Sequence, residues 1–207
     1  MPVLRPDTLV QNVLQILAVT GEFPWSSLYL LGNLPTVQKM VYRLSEPAAF
    51  RHRHTGEEVR TKLFVLSGKG REKSLRFYKG ALSLLHWLHP GAYEYYMENF
   101  WNHHFPGDAA HRDRNHRVAE AVAFCANAGV RVLPYDLPRL QQEKIRKVTP
   151  NYPALYLARD MKKAFPGEEK KTLFTRAVGA LFYPGGCYAV YNTRDAAMKW
   201  KGMGEFK

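Results

Sequence analysis

Apolar residues recur at helical spacing from the start of the chain. Leu9, Val10, Val13, Leu14, Ile16 and Leu17 fall on one side of a helix that Asp7 is placed to cap and Gly21 to end. Pro24-Trp25 opens a second, shorter helix through Leu31, broken by Gly32-Asn33. A third follows, with Asn33 as cap, Pro35 in the first turn, and Val37, Met40, Val41 and Leu44 on one face. The period then changes. Ala49–His54 and Val59–Leu66 read as extended segments joined at Thr55-Gly56-Glu57, where glycine allows a tight turn. Ser67-Gly68-Lys69-Gly70 is expected to open another short helix. Three helices followed by a hairpin predict a winged helix-turn-helix over residues 1–79. Its third helix would enter the major groove and its hairpin would lie along the backbone.

From Gly80 the texture is aromatic. ALSLLHWLHPGAYEYYMENFWNHHFPGD predicts two helices separated by His89-Pro90-Gly91, a connector over 80–107. Trp87, Tyr93, Tyr95, Tyr96, Phe100 and Trp101 in it read first as core or protein interface, and second as platforms for stacked bases. Over 108–207 the pattern predicts a helix from Asp108 to Ala128 with Gly129 as its stop, then a buried strand at Val130–Leu133. A strand at Ala154–Leu157, a helix at Arg159–Phe165 and a hairpin of Phe174–Tyr183 with Cys187–Tyr191 around Pro184-Gly185-Gly186 complete it. The expected class is α+β, a winged helix-turn-helix followed by a small α/β domain.

Charge gives the first half a use. Between Lys39 and Lys79 stand eleven Lys or Arg against four Glu, so +7 of the chain's net +12 sits in that segment. Concentrated positive charge gains affinity for a polyanion by releasing condensed counterions. The expected partner is double-stranded DNA. Arg51, Arg53, Arg60, Lys62, Lys69, Arg71 and Lys73 would meet phosphates, as would Lys39. Thr36, Gln38, Tyr42 and Arg43 would read base edges, unless Tyr42 packs beneath the hairpin. Paired half-sites would suit a homodimer.

Composition narrows the setting. The length of 207 residues suits one large domain or two small ones, and 46% hydrophobic with 23% charged residues is ordinary for a globular protein. Cys125 and Cys187 alone make neither a disulfide framework nor a four-ligand zinc site, which points to a reducing cytoplasm. The start MPVLRPDTLV lacks a signal-peptide pattern, and no apolar run approaches membrane-spanning length.

Each candidate catalytic or metal motif also has a plainer use. His103, His104, His111 and His116 lie near Asp108, Asp113 and Glu120, with His116 and Glu120 four apart on one helical face. Neighbouring Arg112, Arg114 and Arg117 oppose a cation there, so no metal is assigned. His52-Arg53-His54 faintly resembles the paired histidines of nicking relaxases, but two basic groups on a hairpin explain it better. Glu205-Phe206-Lys207 matches the Glu-x-Lys element of metal-dependent nucleases, at a chain end where structure frays. No phosphate-binding glycine loop has the required spacing, and no cofactor is expected.

LFVLSGKG in the head, HRVAEAVAFCANAGVRV, and RAVGALFYPGGCYAVYNTRDAAMKW together resemble replication-relaxation-like proteins of plasmids and conjugative elements. The resemblance implies a winged-helix head, an α/β domain reminiscent of nuclease folds, and a role in element replication or transfer. This chain ends soon after Met198-Lys199-Trp200, where such proteins continue, so a truncated nuclease-like fold rather than a completed catalytic domain is expected. The leading expectation is therefore a non-enzymatic DNA-binding protein of a mobile genetic element, acting in replication, transfer or transcriptional control. The second is a protein inhibitor of a host defence nuclease, anti-CRISPR-like, with a CRISPR effector or replication enzyme as its partner. The third is a metal-dependent nuclease.

Overall fold

A computed structural model describes residues 8–52, 55–101, 109–140, 152–164 and 177–194. The chain divides into two units, 1–123 and 124–207.

In the first unit, helix α1 (Leu9–Thr20) buries Val13, Leu14, Leu17 and Ala18. Its cap is Thr8, whose side chain accepts from the Gln11 N–H at 3.4 Å; Asp7 lies outside the described residues. Gly21, at φ 77°, ends the helix as expected and donates its N–H to the Leu17 carbonyl. A three-residue strand, β1 (Glu22–Pro24), follows. Trp25–Leu31 is a 3₁₀ helix rather than an α-helix. Seven residues between a proline and a glycine leave little room for α-type bonding to propagate, and short pieces favour the tighter coil. Helix α2 (Leu34–Leu44) begins at the expected cap, with Asn33 Oδ1 accepting from the Thr36 N–H and hydroxyl, and buries Val37, Val41 and Leu44.

The extended region departs from expectation. Strands β2 (Ala48–Arg51) and β3 (Glu58–Thr61) form the hairpin, with Phe50 opposite Val59 and Arg51 opposite Glu58. The predicted strand Val59–Leu66 does not continue. It breaks at Lys62-Leu63, and Phe64–Ser67 is a separate strand, β4, in another sheet. Leu63 and Phe64 are adjacent and both 0% exposed. A strand points successive side chains to opposite faces, so burying two neighbours requires the chain to turn. Leu63 donates its N–H to Leu44 and accepts from the N–H of Tyr78, which fixes the corner.

Strand β4 pairs with β5 (Ser74–Phe77), and β5 with β1, in the order β1-β5-β4, all antiparallel. The short helix expected after Ser67 is one 3₁₀ turn, Gly70–Glu72, inside the β4–β5 connection. Helices α3 (Ala81–Leu88) and α4 (Pro90–Tyr96) are separated as predicted, with Pro90 in the first turn and a π-helical turn, Met97–Trp101, after α4. Helix α4 packs on α1 and α3. Tyr95, Tyr96 and Phe100 are buried, and Tyr96 meets Phe77 edge-on with centroids 5.0 Å apart. Helix α5 (Ala109–Asn127) matches the predicted helix, and Gly129 follows at φ 77°.

In the second unit, Val130–Leu133 is not a strand. A single parallel bridge joins Arg131 to Ala154, and Pro134 then starts a 3₁₀ turn, Pro134–Asp136. Proline lacks the N–H that a continuing ladder needs. Strand β6 (Ala154–Leu157) is fully buried and leads into α6 (Ala158–Ala164). Strands β7 (Gly179–Tyr183) and β8 (Gly186–Val190) form a hairpin at the predicted turn, with β7 starting at Gly179 and the expected start at Phe174 lying outside the described residues, and the sheet β6-β7-β8 is antiparallel throughout. Leu137, Ala154, Tyr156, Met161 and Ala180 are its core. The described chain is thus α+β with three small antiparallel sheets, and its second half has the antiparallel sheet of an α+β unit where an α/β arrangement was expected. Among the described residues no helix is long and apolar enough to cross a membrane.

Candidate nucleic-acid interface

With Val37, Val41 and Leu44 turned inward, α2 presents Thr36, Lys39 and Arg43 to solvent at three- and four-residue spacing. Tyr42 beside them is 52% exposed, and Gln38 is half-buried. The β4–β5 connection carries Lys69 and Arg71, both exposed, and ends at Lys73. Gly68 holds φ 78° there, a conformation other residues adopt at a cost.

Trp25 joins these two elements. Its ring centroid lies 5.3 Å from that of Tyr42, and the Lys73 ammonium sits 3.8 Å from its centre and 5.8 Å from that of Tyr42. The Trp25 N–H donates to the Lys73 carbonyl at 2.8 Å, so backbone and side chain both tie the 3₁₀ helix to the foot of the β4–β5 connection. Tyr42 and Lys73, both expected at the interface, meet here. Trp25 is not among the residues that the sequence marks for this surface. The available signal was its place directly after Pro24, at a helix start, where no preceding turn covers a large side chain.

The β2–β3 ribbon is a separate feature. Cross-strand pairing puts Ala49, Arg51, Glu58 and Arg60 on one face and Phe50 with Val59 on the other, where Phe50 is 1% exposed. Glu58 stands 3.9 Å from Arg51, with both side chains more than half exposed, so the contact contributes little stability while diluting the ribbon's positive field. The His52 ring lies 5.1 Å from that of Trp87 on α3, and Lys62 is half-buried with its ammonium 4.5 Å from the Tyr78 ring centre. Arg53 and His54 lie outside the described residues. The structure therefore gathers Lys69, Arg71 and Lys73 on the β4–β5 connection and Thr36, Lys39, Tyr42 and Arg43 on α2. It carries Arg51 and Arg60 on a hairpin of a different sheet.

Behind this surface lies a buried polar knot. Glu22, fully buried, accepts at Oε2 from Arg76 Nε at 3.0 Å, Arg76 Nη2 at 2.6 Å and Ser74 Oγ at 3.1 Å. His116 Nε2 is 3.8 Å from the same oxygen, an electrostatic neighbour beyond hydrogen-bond range. Burial by itself pushes the Glu22 carboxyl up; His116 and the Arg76 guanidinium outweigh it and bring the pKa down to about 2. Glu120 accepts from the Ser27 hydroxyl at 2.7 Å, and Arg112 Nη1 lies 3.4 Å from Glu72. Arg112, His116 and Glu120 are successive fours along α5, so one stripe of that helix meets the β4–β5 connection, β1 and the 3₁₀ helix in turn.

His116 and Glu120 share a helical face, and both are turned onto buried protein partners. No group of three His, Cys, Asp or Glu suited to a metal occurs among the described residues. Asp113 pairs with Arg117 on the same helix. His103, His104, Asp108, Glu205 and Lys207 lie outside the described residues. Cys125 and Cys187 are free thiols, the first half-buried and the second exposed, and burial pushes the Cys125 thiol up.

No family model matches the chain, and no curated protein or solved structure matches it.

Proposed function

We propose that this chain is a non-enzymatic DNA-binding protein that grips a duplex with the exposed face of α2 and the β4–β5 connection. The observation that carries the reading is the Tyr42–Trp25–Lys73 contact, which makes one cationic surface from two elements far apart in sequence. Lys69, Arg71 and Lys73 then supply phosphate contacts beside a helix that offers Thr36, Lys39 and Arg43.

The connectivity supports a winged helix-turn-helix in which the wing is β4–β5. A short strand between the first two helical segments pairs with the returning strand of a terminal hairpin, in the order β1-β5-β4, and α2 takes the recognition position. The β2–β3 hairpin is then an insertion between recognition helix and wing. The resemblance of LFVLSGKG and the two later segments to replication-relaxation-like proteins supports service in replication, transfer or transcriptional control of a mobile element.

Fluorescence anisotropy with a labelled duplex tests the reading. Charge reversal of Lys69 and Arg71 together is expected to weaken binding by on the order of tenfold or more at low salt, and to flatten the dependence on salt. Unchanged affinity and slope would remove the β4–β5 connection from the interface.

A second reading, inhibition of a nucleic-acid-handling enzyme, is favoured by the β7–β8 hairpin. There Tyr183 and Tyr188 are 44% and 53% exposed with centroids 6.0 Å apart, a surface suited to a protein partner. A stoichiometric complex that survives high salt and is lost in Tyr183→Ala/Tyr188→Ala would favour inhibition over duplex binding.

A further inference from the structure

We infer that the Trp25–Tyr42–Lys73 corner takes an unpaired nucleobase, so that the preferred ligand is DNA with a single-stranded segment next to duplex. The inference deepens the duplex-binding reading and rests on it. Tyr42 is 52% exposed although it stands on an amphipathic helix whose apolar face is already buried, and the half-buried Trp25 ring lies against it at an interplanar angle of 57°. The two rings thus form a bent aromatic wall rather than a closed pair. Over the Trp25 face the only charge described is the Lys73 ammonium, 3.8 Å from the ring centre.

That geometry is a stacking position held by the protein's own cation. Among the described residues no carboxylate pairs with Lys73; its contacts are the two π faces. A cation over a half-buried ring with no carboxylate beside it is open to competition from a phosphate. When Lys73 swings to a backbone phosphate, the Trp25 face opens beside Tyr42, and a flat aromatic group of matching size can replace it. A paired, stacked duplex offers its grooves and phosphates but no base faces. A nucleotide outside the stack offers one, and every base has such a face, so the contact selects DNA structure rather than sequence. Lys39 and Arg43, exposed on the same helix, are placed to hold the flanking backbone.

The experiment compares two labelled probes, a blunt duplex and the same duplex with a short single-stranded tail, by anisotropy at one ionic strength. The native chain is expected to bind the tailed probe more tightly by roughly 5- to 150-fold, the range for one stacked base. Trp25→Leu and, separately, Tyr42→Ala should remove most of that preference, read as the ratio of tailed to blunt affinity within each variant; Tyr42→Phe, which keeps the ring, should retain it. Tyr42 is exposed enough that its alanine variant folds, so a misfolded Trp25→Leu does not stop the test. Equal binding of both probes, or a preference that survives Tyr42→Ala and Trp25→Leu, overturns the stacking site while the duplex reading stands. Failure to bind either probe overturns both.

Discussion

Arg76 and Glu22, 54 residues apart in the chain, face each other across the β5–β1 ladder, and the Arg76 guanidinium places two N–H groups on one Glu22 carboxylate oxygen. Glu22 is 0% exposed and Arg76 is mostly covered. A charge-assisted fork in that setting is strong, and removing Arg76 leaves the buried Glu22 carboxylate with only Ser74 and His116 beside it. Arg76→Ala is therefore expected to destabilise the first unit by about 3–5 kcal/mol, read as a shift in urea midpoint. A loss below about 1 kcal/mol would mean that water reaches Glu22 in solution.

The same pair sets an acid limit. The folded protein keeps the Glu22 carboxyl ionised down to about 2, whereas an unfolded chain protonates it near the ordinary 4.5. Between those values the unfolded state binds more protons, so this stabilisation is complete above pH 4.5 and drains away as pH falls toward 2. Up to about 3 kcal/mol is at stake. Urea midpoints measured from about pH 6 to about pH 3 should fall for the native chain and fall less steeply for Glu22→Gln. Parallel curves would assign the acid sensitivity to other carboxylates.

Lys69 and Arg71 should differ from Arg51 in what their loss does to DNA binding. The first two stand exposed on the β4–β5 connection, while Arg51 shares its face with Glu58 on another sheet. Neutralising Lys69 and Arg71 to Gln should reduce the log affinity against log salt slope by about 1.8, and Arg51→Gln should change it by well under one. A full unit lost with Arg51→Gln would put the β2–β3 ribbon at the interface.

Gly68 is expected to resist substitution. At φ 78° an added Cβ would lie 2.5 Å from the Glu72 carbonyl oxygen, part of the backbone of the same connection. Gly68→Ala should weaken duplex binding by displacing Lys69 and Arg71, and should cost at least about 1 kcal/mol in stability. Native affinity in that variant would show that the connection adapts without loss.

Asn33→Ala tests the cap of α2. Its side chain accepts from the Thr36 N–H and hydroxyl, and removing it should cost about 1 kcal/mol and lower the melting temperature by roughly 2–4 °C. An unchanged melting temperature would mean that water satisfies the first turn equally well.

Local chemistry made α1, α2, the paired helices around Pro90 and both glycine-turn hairpins legible, because caps, breakers and periodicity act within a few residues. Val59 to Leu66 reads as one strand because it is a continuous β-favouring run, and only the adjacent Leu63-Phe64 marks the corner that divides it in two. Strand β1 carries a glutamate and a proline, neither a strand signal, and exists because β5 is there to pair with it. The charged cluster correctly located the basic residues but not their division between two sheets. Trp25 and the Glu22–Arg76–His116 contacts join residues dozens of positions apart, and no local pattern records such a meeting.

The stripe of Arg112, His116 and Glu120 sets how the head can be excised. A fragment stopping at residue 79 would keep Glu22 with Arg76 but strip away His116, unroof Ser27 and part Glu72 from Arg112. A piece that keeps these three contacts must reach beyond Glu120, as the first compact unit does by running to Ala123.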